Sequence, residues 1–237
     1  MVQVRGGYSF NPDGSVNFEQ WLSRLESYVA LDNHDQLRRA CDLSWQIELS
    51  VRASQNDWTP GVSSYHTGLE MSEILAQLHL NDEAIVVALL YRPVRETRLS
   101  LQTIREQFGD AVANLLEGVL RMAAINDTDT SKRRVLGQND VQVENVRKML
   151  LALVDDVRVA LIKLAERTCA IRALKQAGDE KRKRVAREIF DIYAPLAHRL
   201  GIGQLKWELE DLSFRYLEPE NYKSIAKLID ERRVDRE

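Results

Sequence analysis

An all-α fold is predicted, and three observations carry it. Apolar residues recur at helical spacing through most of the chain, and strand-like alternation is nearly absent. The five prolines and eleven glycines leave long uninterrupted segments. With 237 residues the chain can bury a core as one large domain or two small ones. Charged residues make up 29% and the formal net charge is −3, so nothing global argues for nucleic acid or a membrane surface. Cys41 and Cys169 are too few for a disulfide scaffold and imply a reduced, cytoplasmic setting. The start, Met1 to Gly7, carries no apolar core of a signal peptide. No apolar run approaches the roughly 20 residues that span a bilayer, so no membrane partner is expected.

Taken in order, residues 1–15 are rich in Gly, Asn, Pro and Ser and read as a flexible N-terminus. Asn17 can cap a helix whose apolar face is Phe18, Trp21, Leu22, Leu25 and Val29. A second helix runs from Asp35 to about Ser54, with Leu37, Cys41, Trp45, Ile47 and Leu49 as inward candidates. Trp58, Pro60 and Gly61 mark a break. Helical spacing resumes from Tyr65 to Leu78 through Leu69, Ile74, Leu75 and Leu78, and Asn81, Asp82 and Glu83 open the next helix. Leu99 to Phe108, closed by Gly109, and Ala111 to Ala124 are two more, and the polar stretch Asn126 to Asn139 reads as an exposed loop. Asp140 to Leu174 lacks glycine and proline and exceeds a usual helix, so Asp155 and Asp156 mark a restart. In the second half Val157, Leu161, Leu164, Thr168 and Ile171 line one face. Val159, Ile162 and Ala170 make the remainder apolar as well, which predicts a central helix. Glu166 lies among them and needs a partner or a task. A further helix from Asp179 to about Leu200 carries a solvated charged face and a kink at Pro195. Leu205 to Leu217 and a helix from Pro219 complete the chain.

The stretch from Ala84 to Arg98 (AIVVALLYRPVRETR) stands apart. Seven apolar residues end in Tyr91, three arginines, Pro93 and Glu96, so a core-bound helix delivers positive charge at its end. Pro93 disfavours the α conformation at Arg92, which predicts an end or a kink there. Arg92, Arg95 and Arg98 fit either an anion pocket or salt bridges to Glu96, Glu166 or other acids. Other motifs are plainer. Gly201 and Gly203 follow a helix and lack a third glycine, so they read as a helix–helix connection rather than a phosphate-binding turn. Cys169 reads as a buried structural thiol, and His198 as a core histidine bonded to a backbone carbonyl. His34, His66, His79 and His198 show no i, i+4 pairing, which argues against a conventional zinc site.

Residues 142–152 (QVENVRKMLLA), 155–168 (DDVRVALIKLAERT) and 192–217 (IYAPLAHRLGIGQLKWELEDLSFRYL) are the most specific stretches of the chain. With them the chain resembles the N-terminal region of a long RelA/SpoT-type (p)ppGpp synthetase, of the RelA branch, over essentially its whole length. That resemblance implies an HD-domain helical bundle over residues 16–200. Residues 201–237 would begin a helical linker to a synthetase domain beyond this chain. In bifunctional members the region is a manganese-dependent hydrolase that removes the 3′ pyrophosphate of ppGpp. By that resemblance a histidine ligand falls on Thr67, a His-Asp pair on Tyr91 and Arg92, and a Glu-Asp pair on Arg95 and Glu96. The fourth metal-ligand aspartate falls on Glu166, a nucleotide-contacting asparagine on Ala170, and a nucleotide-gripping segment on Trp58, Thr59 and Pro60.

This chain departs from the pattern at nearly all these positions. Only Glu166 keeps ligand chemistry, and His66 is one residue out of place, which on a helix or turn aims its side chain elsewhere. The resemblance therefore implies a hydrolase site that no longer works, with no manganese, and magnesium only in the absent synthetase domain. Expected partners are that intramolecular synthetase domain and, through absent C-terminal regions, the ribosome and uncharged tRNA. No direct nucleic-acid binding is expected of this segment. Arg92 is expected to pair with Glu166, guanidinium standing where the cation stood. Two other readings stay open: a sensor binding a guanosine phosphate through Arg92, Arg95 and Arg98, and a residual ppGpp hydrolase.

Overall fold

The computed structural model describes residues 9–54, 63–132 and 156–234. Among them the chain is helical, apart from turns and one isolated bridge between Phe10 and Val16. The rest of the expected loop up to Asn139, the expected helix at 140–154 and the segment Trp58 to Pro60 lie outside the described residues. The chain divides into two compact units. Residues up to Asp129, with the segment ending at Ala165, form the first, and the second includes everything from Glu166 onward.

In the first unit, α1 (Phe18–Glu26) starts where the Asn17 carboxamide accepts the Gln20 N–H at 3.2 Å, and it buries Phe18, Trp21, Leu22 and Leu25. It stops before Val29, because the Ser27 hydroxyl turns back to the Arg24 carbonyl at 2.6 Å. On α2 (His34–Ser54) the buried stripe is Leu37, Ala40, Cys41, Ser44, Trp45 and Glu48. Ile47 and Leu49, expected inward, fall off that stripe, and Leu49 is exposed. The position they were assigned belongs to Glu48, whose carboxylate accepts the Tyr65 N–H (3.3 Å) and Arg52 Nε (3.2 Å). A buried acid at stripe spacing is missed when only apolar residues are counted.

α3 (Ser64–Gln77) is capped by the Ser63 hydroxyl on the His66 N–H, and α4 (Asp82–Arg95) packs against it. α5 (Leu101–Phe108) is capped by Ser100 and closed by Gly109 at φ 87°. α6 (Asp110–Lys132) continues through Asn126 to Lys132, where a loop was expected. That segment is polar but has neither glycine nor proline, and polarity alone does not end a helix. α7 (Val157–Ala173) begins beside Asp156, whose carboxylate accepts the Arg158 N–H at 2.9 Å. Val157, expected inward, is exposed at that first turn, whereas residues 159–169 are buried apart from Leu161. Such burial around the whole circumference is that of a central helix. Gly118 lets α6 approach it, since a Cβ at 118 would lie 2.8 Å from Val159 Cγ2.

The second unit contains the end of α7, a 3₁₀ turn at Leu174–Gln176, and α8 (Asp179–Glu188). Asp179 pairs with Lys183 at 2.9 Å on the solvated face of α8. The single kinked helix expected up to Leu200 is interrupted by a π-helical turn, Ile189–Tyr193, before α9 (Ala194–Arg199). Pro195 has no N–H for a carbonyl one turn back, and a wider turn just before it absorbs the mismatch. His198 is exposed, which corrects its reading as a core histidine. It lies three residues after the exposed Pro195, on the same side of a short helix, while Leu196 and Ala197 take the buried side. Gly201 at φ 74° closes α9, its N–H on the His198 carbonyl and the Ile202 N–H on the Ala197 carbonyl. Gly201 to Gly203 is thus a helix–helix connection into α10 (Gly203–Leu217), and α11 (Pro219–Val234) follows. No helix among the described residues is long and apolar enough to cross a membrane.

Candidate functional site

The site is organised by the C-terminal turn of α4. From Ala84 to Tyr91 every residue of this helix is buried. Of the end or kink expected at Arg92, the end does not occur, for the helix runs on to Arg95 with Pro93 inside it. The Leu89 carbonyl, which Pro93 cannot serve, accepts the Ser44 hydroxyl of α2 at 3.0 Å. On α3, Gly68 leaves room at the same place: a Cβ there would stand 3.1 Å from Leu89 Cα. The helix closes with the Thr97 N–H on the Val94 carbonyl (3.0 Å) and the Arg98 N–H on the Pro93 carbonyl (2.9 Å). This is a Schellman closure with a left-handed residue at Thr97, φ 59°, where glycine is usual. It turns the chain so that Arg98 comes back over Glu96.

Glu96 is the centre of the polar cluster. Its side chain is 6% exposed. One carboxylate oxygen, Oε1, accepts Arg92 Nη2 at 3.0 Å, Arg92 Nε at 3.2 Å and the Ser64 hydroxyl at 2.8 Å. The other, Oε2, accepts Arg98 Nε at 3.3 Å. Arg92 Nη1 also donates to the Thr67 hydroxyl at 3.3 Å, which itself donates to the Ser63 carbonyl at 2.8 Å. Tyr91 points the other way, into the core. Its hydroxyl accepts Lys163 Nζ at 3.3 Å, and both side chains are fully buried.

Of the positions singled out in the sequence, Thr67, Arg92, Glu96 and Arg98 are therefore brought into one hydrogen-bonded cluster, and Arg95 lies part-buried on the same helical turn. Glu166 and Ala170 belong to the second unit. There the Glu166 carboxylate lies 3.0 Å from Arg167 Nε, and the Arg167 guanidinium stands over the Tyr193 ring. The expected Arg92–Glu166 pair would join the two units, and the carboxylate that holds Arg92 within its own unit is Glu96. His66, beside Thr67, packs its ring on Phe10 (5.1 Å) and Tyr65 (5.9 Å). Loss of solvent there pushes its pKa below the ordinary value. Among the described residues no three His, Cys, Asp or Glu side chains gather as a metal-binding group.

Sequence reading missed Lys163, Ser64 and Ser44. Lys163 had a signal, the same one that singled out Glu166: a charge inside a helix apolar on all sides. The two serines had none, because their partners are remote in sequence.

The sequence profile of the HD domain family matches residues 40–203. The chain belongs to the HD domain family. Over its full length this HD domain chain is 49% identical to a GTP pyrophosphokinase of Escherichia coli K12 and 41% identical to one of Haemophilus influenzae. Over 70% of its length it is 42% identical to a guanosine-3′,5′-bis(diphosphate) 3′-pyrophosphohydrolase of Haemophilus influenzae. It spans 30%, 31% and 24% of those three proteins, respectively. The resemblance to the RelA/SpoT-type proteins rests on these matches. They include one protein named for synthesis chemistry and one named for hydrolysis in the same organism, so the HD domain's own activity has to be argued from its residues.

Proposed function

We propose that this HD domain is a catalytically inactive relative of the (p)ppGpp hydrolases that regulates a neighbouring synthetase domain of its parent protein, a GTP pyrophosphokinase. The observation that carries the reading is the Arg92–Glu96 pair, 3.0 Å, in which a guanidinium occupies the position where the family resemblance puts a metal-ligand aspartate. Manganese favours oxygen and imidazole ligands in a roughly octahedral set. Arg92 offers only N–H donors and a permanent positive charge. The Glu96 carboxylate accepts from Arg92, Arg98 and Ser64, and the Tyr91 hydroxyl is met by an ammonium group. Such a donor set does not fit a divalent cation, and without one there is no activated water for hydrolysis.

The synthetase chemistry, its magnesium, and the contacts with ribosome and uncharged tRNA are assigned to parts of the parent outside this chain. The retained, well-packed helical unit then has a regulatory use: a surface against which the synthetase domain is set. Incubating the purified chain with ppGpp and manganese tests the first half, with no pyrophosphate release expected above a chain-free control. Measurable turnover would overturn it. For the second half, the parent's rate of pyrophosphate transfer is compared with and without residues 1–200. An unchanged rate would remove the regulatory role.

A further inference from the structure

We propose that Ser64, Thr67, Arg92 and Arg98 form a cradle for a small oxyanion, and that the chain's own Glu96 carboxylate fills it. Three places in the fold converge on that carboxylate: Ser64 at the start of α3, Arg92 on the last turn of α4, and Arg98 just after the helix. Thr67 holds the Arg92 guanidinium in place from the side. Guanidinium N–H groups and hydroxyls recognise carboxylate and phosphate oxygens by the same geometry, so the donors are not selective for a glutamate. Glu96 is the innermost member at 6% exposure, whereas Arg92 and Arg98 are 17% and 20% exposed, so the cradle opens toward solvent through the arginines.

A tethered carboxylate competes with any free anion at a high effective concentration. The wild-type chain is therefore self-occupied, and removal of the Glu96 side chain uncovers the site. This goes beyond the regulatory reading and does not depend on whether the domain hydrolyses ppGpp.

Thermal unfolding of the 237-residue chain tests the proposal, with wild type and Glu96→Ala compared in sodium phosphate, sodium acetate and sodium chloride at matched ionic strength. Glu96→Ala should melt lower in chloride and recover saturably as phosphate or acetate is added, while wild type responds to neither beyond the chloride control. The relative response to the two anions tells which oxyanion the cradle prefers. Should Glu96→Ala fail to fold in chloride, Glu96→Ser, whose short side chain also leaves the cradle open, is read in the same way. A folded variant with no saturable response overturns the proposal. So does a wild type that responds as strongly as the variant, or a response that survives adding Arg92→Gln to the Glu96 variant.

Discussion

The Ser44 hydroxyl donates to the Leu89 carbonyl at 3.0 Å, and that carbonyl is the one whose helical partner would have been the N–H of residue 93. Pro93 has none, so α2 supplies the missing donor and α4 can continue one turn further to deliver Arg92 and Arg95. Ser44→Ala should cost about 1–3 kcal/mol, since it leaves a buried carbonyl unsatisfied. In a Pro93→Ala background an N–H returns to the helix and the same change should cost about 1 kcal/mol less. Urea unfolding of the four chains gives the cycle, and strictly additive costs would disprove the link.

Gly68 is required by the backbone of α4 rather than by its own conformation. A methyl group there meets Leu89 Cα at 3.1 Å and the Ala88 carbonyl oxygen at 3.2 Å, neither of which can rotate away. Gly68→Ala should destabilise by about 1–3 kcal/mol despite alanine's better helix propensity. At Gly118 the obstacle, a Val159 methyl, stands closer at 2.8 Å, and a buried β-branched side chain on a helix has little rotamer freedom, so Gly118→Ala should cost at least as much. The order of the two melting temperatures decides it.

Thr97 is a β-branched residue at φ 59°, in the position where helix closures favour glycine. Thr97→Gly should stabilise the chain by about 0.5–1 kcal/mol, with the small hydrogen bond of the Thr97 hydroxyl to the Glu96 carbonyl as the offset. A lower midpoint in urea would show that this hydroxyl matters more than the strained backbone.

His66 carries a pH dependence of definite sign. Desolvation against its neighbours is the main cause of its lowered pKa, opposed by Glu48 and assisted by Arg52. The unfolded chain then binds its proton more readily than the folded one, so stability is full above the ordinary histidine value near 6.5 and falls as pH drops through it. Chemical unfolding between pH 8 and about 5 should show this decline, and His66→Gln should flatten it. A wild-type slope of opposite sign assignable to His66 would refute the reading.

The helices were largely legible from local pattern. Asn17 announces α1, Leu37, Cys41 and Trp45 mark one face of α2, and the apolar circumference from Val159 to Cys169 announces a central helix. The misses share a cause. Asn126 to Asn139 was read as a loop for its polarity, though its described part to Lys132 is helical, and an end or kink was read at Pro93 for its restriction of Arg92, because each was judged without what surrounds it. Ser44, which offsets Pro93, lies 45 residues from its acceptor. For the arginines, sequence reading left a choice between an anion pocket and carboxylates. The fold places Arg92 and Arg98 on Glu96, the same carboxylate for both.

Sequence by itself determined the all-α class and the family, because helical periodicity and family motifs are written in local order. Only the tertiary structure decided that Arg92 and Arg98 are held by Glu96, with Ser64 and Thr67 completing the set, and that Tyr91 meets Lys163. A side chain's partners are chosen by distance in space, after α2, α3 and α7 have packed around α4, and no spacing along the chain records that choice.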